Sequence, residues 1–318
     1  MILESTRNGF GRAMLKLGET NPKVVVIDAD LAGSLKVEEF AKKYPRRFFE
    51  VGVAEQNAAG VAAGLAQEDF IPFVTSFACF SPMMNFHIIR QSICLSNANV
   101  KLVGSHGGLM TGADGASHQA LEDIALMRSL PGMTILHPAD SLQAEELTLL
   151  AAKHQGPVYL RLTRAATPLL GEFPISNFQF PISEVKIGKA QILSKGDRLT
   201  VIAAGPIITE VISAMEQWNN GTIELINCHT LKPLDKQVIL KSVAKTGKVL
   251  TVEDHSVIGG LGSAISELLA QEYPLPVKIL GVPDVFGESA REPRQLLAKY
   301  GLDAEGIGKA IKNLLKNG

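Results

Sequence analysis

At 318 residues the chain exceeds an ordinary domain of roughly 100–200 residues, which points to about two domains, each large enough to bury a core without disulfide staples. A hydrophobic share of 46% with 29 glycines excludes global disorder. Lys+Arg 31 against Asp+Glu 32, a net charge of −1, excludes a global positive field for nucleic acid or an anionic membrane and leaves room only for a local basic pocket.

In chain order, a helix is expected over 5–18, and the β-branched runs at 23–27, 70–74, 100–103, 133–136 and 158–162 read as strands. Between them 54–67, 82–95, 119–130 and 141–153 carry helical spacing, and the pairs Asn21-Pro22 and Pro131-Gly132 mark turns. Strand alternating with helix calls for a parallel sheet covered by helices. The charge-free run 70–89 has bilayer-spanning length, but Pro72, Pro82, Asn85 and His87 interrupt it, so no membrane span is expected. Past residue 165 the pattern stops in a segment punctuated by Pro168, Pro174 and Pro181, where a linker is expected over 167–187. Strands then resume at 199–203, 223–227, 249–252 and 277–280, with helices at 207–218, 260–272 and 304–315. Cys79, Cys94 and Cys228 are too few and too scattered for a bridge framework. The sequence opens with charge too early for a signal peptide, and a cytoplasmic setting is expected.

Three constellations could carry chemistry. In the run from Glu50 to Gly64, Glu55 opens a helix of almost pure Ala and Gly that could pack closely on another backbone. Taken singly, Glu55 is also what a helix dipole favours in a first turn. The following strand ends in Ser76-Phe77-Ala-Cys-Phe80, two aromatics at the carboxyl end of a parallel strand, where open α/β sheets bind ligands and where a flat heteroaromatic guest would stack. The second constellation is the loop from Ser105 to His118, with His106, Asp114, His118 and four glycines. The His106–His118 separation matches neither finger nor helical zinc spacing and no Cys lies nearby, so no metal is expected there. The third is Arg161-Leu-Thr-Arg164, with Arg7 and Ser34 as companions. Guanidinium pairs well with phosphate, although each arginine alone is more often a surface charge.

Taken together, these residues resemble the transketolase family of thiamine diphosphate enzymes over its second half. Val53-Ala-Glu55-Gln56-Asn57, Thr75-Ser-Phe77-Ala-Cys-Phe80 and Gly112-Ala-Asp114-Gly115-Ala-Ser-His118-Gln119 carry the resemblance, which covers essentially the whole chain. It implies two α/β domains, each a mostly parallel sheet with helices on both faces: a pyrimidine-binding domain over 1–166 and a transketolase C-terminal domain over 188–318. It makes Glu55 the carboxylate that holds the proton on the cofactor's pyrimidine N1′, with Phe77 and Phe80 lining the pyrimidine and Asp30 an acidic position near the thiamine. Arg7, Ser34, His106 and Arg164 match phosphate-gripping positions; Asp114 and His118 match those that meet sugar hydroxyls and the covalent intermediate, and the catalytic set is Glu55, His106 and His118.

Gly107, Met83, Ala113 and Ala165 depart from the family pattern and leave the particular sugar open. The family's Gly-Asp-Gly and following Asn, which hold Mg²⁺ (or Ca²⁺) and the diphosphate through oxygen ligands, are absent from these residues. The resemblance therefore implies half an enzyme: the C-terminal subunit of a split transketolase that moves a two-carbon ketol unit between phosphorylated sugars. Its N-terminal partner would carry the metal motif, and this chain would pair with itself inside an α₂β₂ assembly. A deoxyxylulose-phosphate synthase-like subunit, the beta subunit of a 2-oxoacid dehydrogenase and a non-catalytic partner chain stay open as alternatives.

Overall fold

The computed structural model describes residues 2–173, 185–216, 218 and 221–316, so the part of the expected linker over 174–184 lies outside the described residues. A seven-stranded sheet runs in the order Thr230–Lys232, Thr134–Leu136, Val158–Arg161, Lys101–Ser105, Ile71–Phe77, Val24–Asp28, Phe48–Glu50. Its interior strands are buried on both faces, as a parallel sheet wrapped by helices requires. All neighbouring pairs are parallel except the first, where Thr230–Lys232 enters from the second half of the chain and runs antiparallel, Thr230 opposite Leu136.

The second sheet has five strands in the order Val277–Val282, Val249–Ser256, Gly196–Ala204, Gly221–Asn227, Gln191–Ser194, the last antiparallel to its neighbour. One continuous apolar core joins the two domains, with Ile135 and Met133 of the first packed in the same cluster as Ile202, Ile226 and Leu231 of the second. No helix among the described residues is long and apolar enough to cross a membrane.

Local chemistry explains where the expected elements hold and where they do not. The helix Ser141–Lys153 starts where expected because the Asp140 carboxylate accepts the Gln143 amide proton at 2.8 Å. The expected helix over 119–130 shrinks to Asp123–Arg128. Residues ahead of it are spent elsewhere, the Ala120 carbonyl on Arg161 and the Leu121 carbonyl on the Ser256 amide. Only Phe86–Ile88 and a π-helical Ile89–Cys94 form within 82–95. Asn85 ties down the preceding turn by donating to the Glu55 carbonyl and the Ser81 hydroxyl, both at 3.1 Å.

Candidate active site

Four parallel strands, Val24–Asp28, Ile71–Phe77, Lys101–Ser105 and Val158–Arg161, deliver their carboxyl ends to one edge of the larger sheet. Phe77 is the last residue of its strand and His106 the first beyond the next; the rings pack at 3.7 Å between centroids. Phe80 lies nearly parallel to Phe77 at 6.0 Å. His118, partly exposed, stands edge-on to both, 5.4 Å from Phe80 and 6.1 Å from Phe77. The four rings make an aromatic cluster with one imidazole buried and one partly exposed.

Glu55 opens the helix Glu55–Gln67 and is 4% exposed. Ser76, one residue before Phe77, donates its hydroxyl to Glu55 Oε1 at 3.0 Å. The carboxylate is thus held at the same edge as the ring pair, near a helix N-terminus where negative charge is favoured. A buried carboxylate beside apolar ring faces fits a protonated, flat nitrogen heterocycle such as the aminopyrimidine of thiamine. Among the described residues no three His, Cys, Asp or Glu side chains gather into a group that could hold a metal.

The expected anion-binding residues also meet. Arg7, in the first turn of Thr6–Thr20, donates to the Ser34 carbonyl at 2.8 Å and the Arg164 carbonyl at 3.1 Å, and its buried Nε has no partner among the described residues. Arg164 donates to the Thr111 carbonyl at 2.8 Å. Burial first, then the charges of Arg7, Arg164 and His118, push the His106 pKa down to about 3. His106 is therefore a neutral imidazole, and toward an anion it acts as a hydrogen-bond donor while the two arginines supply the charge. Ser34 enters these contacts through its carbonyl. Asp114 is exposed on the turn Leu109–Asp114, within electrostatic range of Arg7. Asp30 is exposed, two residues beyond the strand Val24–Asp28, with φ of 61°, and its amide donates to Glu50 Oε1 at 2.9 Å.

Arg161 is the correction. Grouped with Arg164 as an anion ligand on the sequence, it is 1% exposed and paired with buried Asp123 at 2.8 Å, which also accepts the Tyr159 hydroxyl at 2.7 Å. A buried guanidinium with that partner is committed to the domain seam, and removing either partner would leave an uncompensated buried charge.

Sequence reasoning missed Ser76, which anchors Glu55, and Asp254, which reaches the site from the second domain. Asp254 Oδ1 accepts the Leu109 amide at 2.8 Å and Oδ2 the Met110 amide at 3.4 Å. A signal existed for the latter: Glu253-Asp254-His255 puts three titratable residues in a row near the carboxyl end of the strand Val249–Ser256. All three are buried.

Two α/β domains, each built on a mostly parallel sheet, with a buried carboxylate and stacked aromatics at the carboxyl edge of the first, place this chain among α/β proteins with a candidate site at that sheet edge. Comparison with known proteins is specific. Residues 4–168 match the transketolase pyrimidine-binding domain and residues 188–307 the transketolase C-terminal domain. A putative transketolase C-terminal section from Methanocaldococcus jannaschii is 41% identical, covering 99% of this chain and 98% of its own. One of the subunits of the apulose-4-phosphate transketolase of Phocaeicola vulgatus is 38% identical, covering 98% of this chain and 97% of its own. A solved split-gene transketolase, described as an inactive β4 tetramer, superposes with a TM-score of 0.87 at 43% identity over 98% of both chains. The chain belongs to the transketolase family, as its pyrimidine-binding and C-terminal portion.

Proposed function

We propose that this chain is the C-terminal subunit of a split transketolase, moving a two-carbon ketol unit between phosphorylated sugars in the cytoplasm. The observation that carries the reading is the union of Glu55, Phe77, Phe80, His106 and His118 at one sheet edge. Thiamine diphosphate, when bound, supplies the carbanion chemistry. Toward it Glu55 holds the pyrimidine N1′ proton, and Phe77 and Phe80 line the ring and exclude water. Asp30 faces the thiamine portion. Arg7 and Arg164, with His106 and Ser34, bind the sugar phosphate, and Asp114 and His118 meet the sugar hydroxyls. The N-terminal partner carries Mg²⁺ (or Ca²⁺) and the diphosphate.

We place the domain limits at 166 and 188, with the linker between them. The chain pairs with itself across the helix Glu55–Gln67, where Gly60 and Gly64 face outward with open space around them and Val53 and Met84 stand exposed nearby. Two partner chains then complete an α₂β₂ enzyme. Free thiols at Cys79, Cys94 and Cys228 suit a reducing compartment.

Calorimetry tests the division of labour. Titrated with thiamine diphosphate and Mg²⁺, the isolated chain should show no tight binding, and with the partner it should bind and transfer a two-carbon ketol unit between phosphorylated sugars. Tight metal-dependent binding by the isolated chain would remove the split-enzyme reading. Release of CO₂ from pyruvate by the assembled enzyme would transfer the assignment to the decarboxylating synthases.

A further inference from the structure

The loop between His106 and His118 is glycine-rich, and its glycines are shaped by the second domain. Gly108 has φ of 86°, and a Cβ there would sit 2.1 Å from Asp254 Oδ2. Gly115 has φ of 74°, and a Cβ there would sit 2.3 Å from the Ser289 hydroxyl. Further along, Gln119 donates to the Glu288 carbonyl at 2.9 Å. These glycines therefore admit the C-terminal domain to the back of the loop.

We propose that Asp254 is a positioning residue for the anion-binding side of the active site, acting from the C-terminal domain through the Leu109–Met110 turn. The path is continuous. Asp254, 4% exposed, accepts both amides of that turn, and Arg161 fixes its backbone by donating to the Asp254 carbonyl at 3.0 Å. The next residue, Thr111, binds the site on its other side: its hydroxyl donates to the His106 carbonyl at 2.7 Å and its own carbonyl receives Arg164 at 2.8 Å. One carboxylate thus sets the turn that spaces His106 from Arg164. An amide in its place offers one acceptor and one donor to two N–H groups, so one of them loses its partner. The inference rests on the anion-binding role given above to His106 and Arg164.

The experiment pairs Asp254→Asn with Glu253→Gln in the assembled enzyme. Glu253 is the control: it is equally buried and next in sequence, and its carboxylate serves the amides of Leu261 and Gly262 at the start of another helix. Asp254→Asn should raise KM for phosphorylated sugars about tenfold with kcat within about twofold, and Glu253→Gln should leave KM unchanged. Hydrogen exchange on the full wild-type chain should find the Leu109 and Met110 amides protected like the core strands, and Asp254→Asn should release them. Rapid exchange of those two amides in the wild type overturns the proposal, as does an Asp254→Asn enzyme with unchanged KM, or one whose kinetic losses match those of Glu253→Gln. If Asp254→Asn fails to fold, wild-type exchange alone decides. If the assembled wild type shows no ketol transfer, the proposed function falls while the exchange result still judges the clamp.

Discussion

In the proposed function Glu55 is the residue on which the chemistry turns, and the Ser76 hydroxyl holds its carboxylate at the sheet edge. An amide cannot hold a ring N–H proton as an anion does, so Glu55→Gln should lower kcat by about 10²–10⁴, the usual worth of a positioned acid or base. Assembly should be intact by light scattering; near-normal turnover would strike Glu55 from the catalytic set. Arg164 belongs to a different step. Losing one charged contact to a bound phosphate costs about 1.5–3 kcal/mol, roughly ten- to a hundredfold in affinity. Arg164→Ala should therefore raise KM for phosphorylated acceptors and spare unphosphorylated ones, and an equal rise for both would place Arg164 outside the grip. His106, held neutral by burial and by the neighbouring cations, adds direction more than charge.

The helix Glu55–Gln67 has two small-residue faces with different uses. Ala58, Ala59, Ala62 and Ala63 pack inward, while Gly60 and Gly64 lie one helical turn apart on the outer side. Replacing an exposed helical glycine by a residue with a side chain favours the isolated helix by up to about 1 kcal/mol, so any loss of association in Gly60→Leu comes from the blocked close approach. Light scattering should report an associated wild-type chain and a dissociated, folded Gly60→Leu. A monomeric wild type that restores full activity one-to-one with the partner would defeat the pairing. This helix and the strands beside it were legible in the sequence, because β-branched runs and the Glu-Gln-Asn start are local signals. Local signals at Asp235 and Gly247 also bracketed the helix Lys236–Thr246, where the Asp235 carboxylate accepts the Val238 amide, and that pattern went unread. Thr230–Lys232 could not be read locally, since its partner Leu136 lies in the other domain. Arg161 was misread because its partner is also non-local, though within the same domain: the sequence shows a cation near a strand end, and only the fold brings Asp123, 38 residues away, beneath it. The anionic and aromatic parts of the site were legible as motifs; the clamp by Asp254 was not, because it spans 145 residues.

At the scale of the whole molecule buried histidines and carboxylates lie beside the apolar core that the two domains share. His137 donates its amide to the His229 carbonyl at 2.9 Å, and His255 and Arg161 lie within electrostatic range of it. Burial holds His229 and His255 down to about 4 and His137 well below its ordinary value, and His106 is held at about 3 in the adjoining site. An unfolded histidine titrates near 6.5. For a base whose folded pKa is depressed, the unfolded chain binds more protons between the two values, so stability is fully present above about pH 6.5 and is lost as pH falls toward 4. Each such histidine contributes on the order of 1.4 kcal/mol per pH unit inside that window. Buried acids oppose the trend: burial raises Glu253 to about 7 and, with help from Glu50, Asp28 to about 6. Their stabilisation is present at low pH and lost as pH rises through those values, so each cancels about one histidine between pH 4.5 and 6. Burial also lowers His154 and raises Asp140 and Asp254, so five histidines stand against four acids and the net loss on acidification is about one histidine's worth. Urea midpoints should fall steadily from pH 6.5 to 5. His229→Gln, which removes one buried titrating base, should make the acid limb shallower by about one proton. A midpoint that stays flat down to pH 5, or an acid limb unchanged in His229→Gln, would show that these groups open to water before the histidines charge.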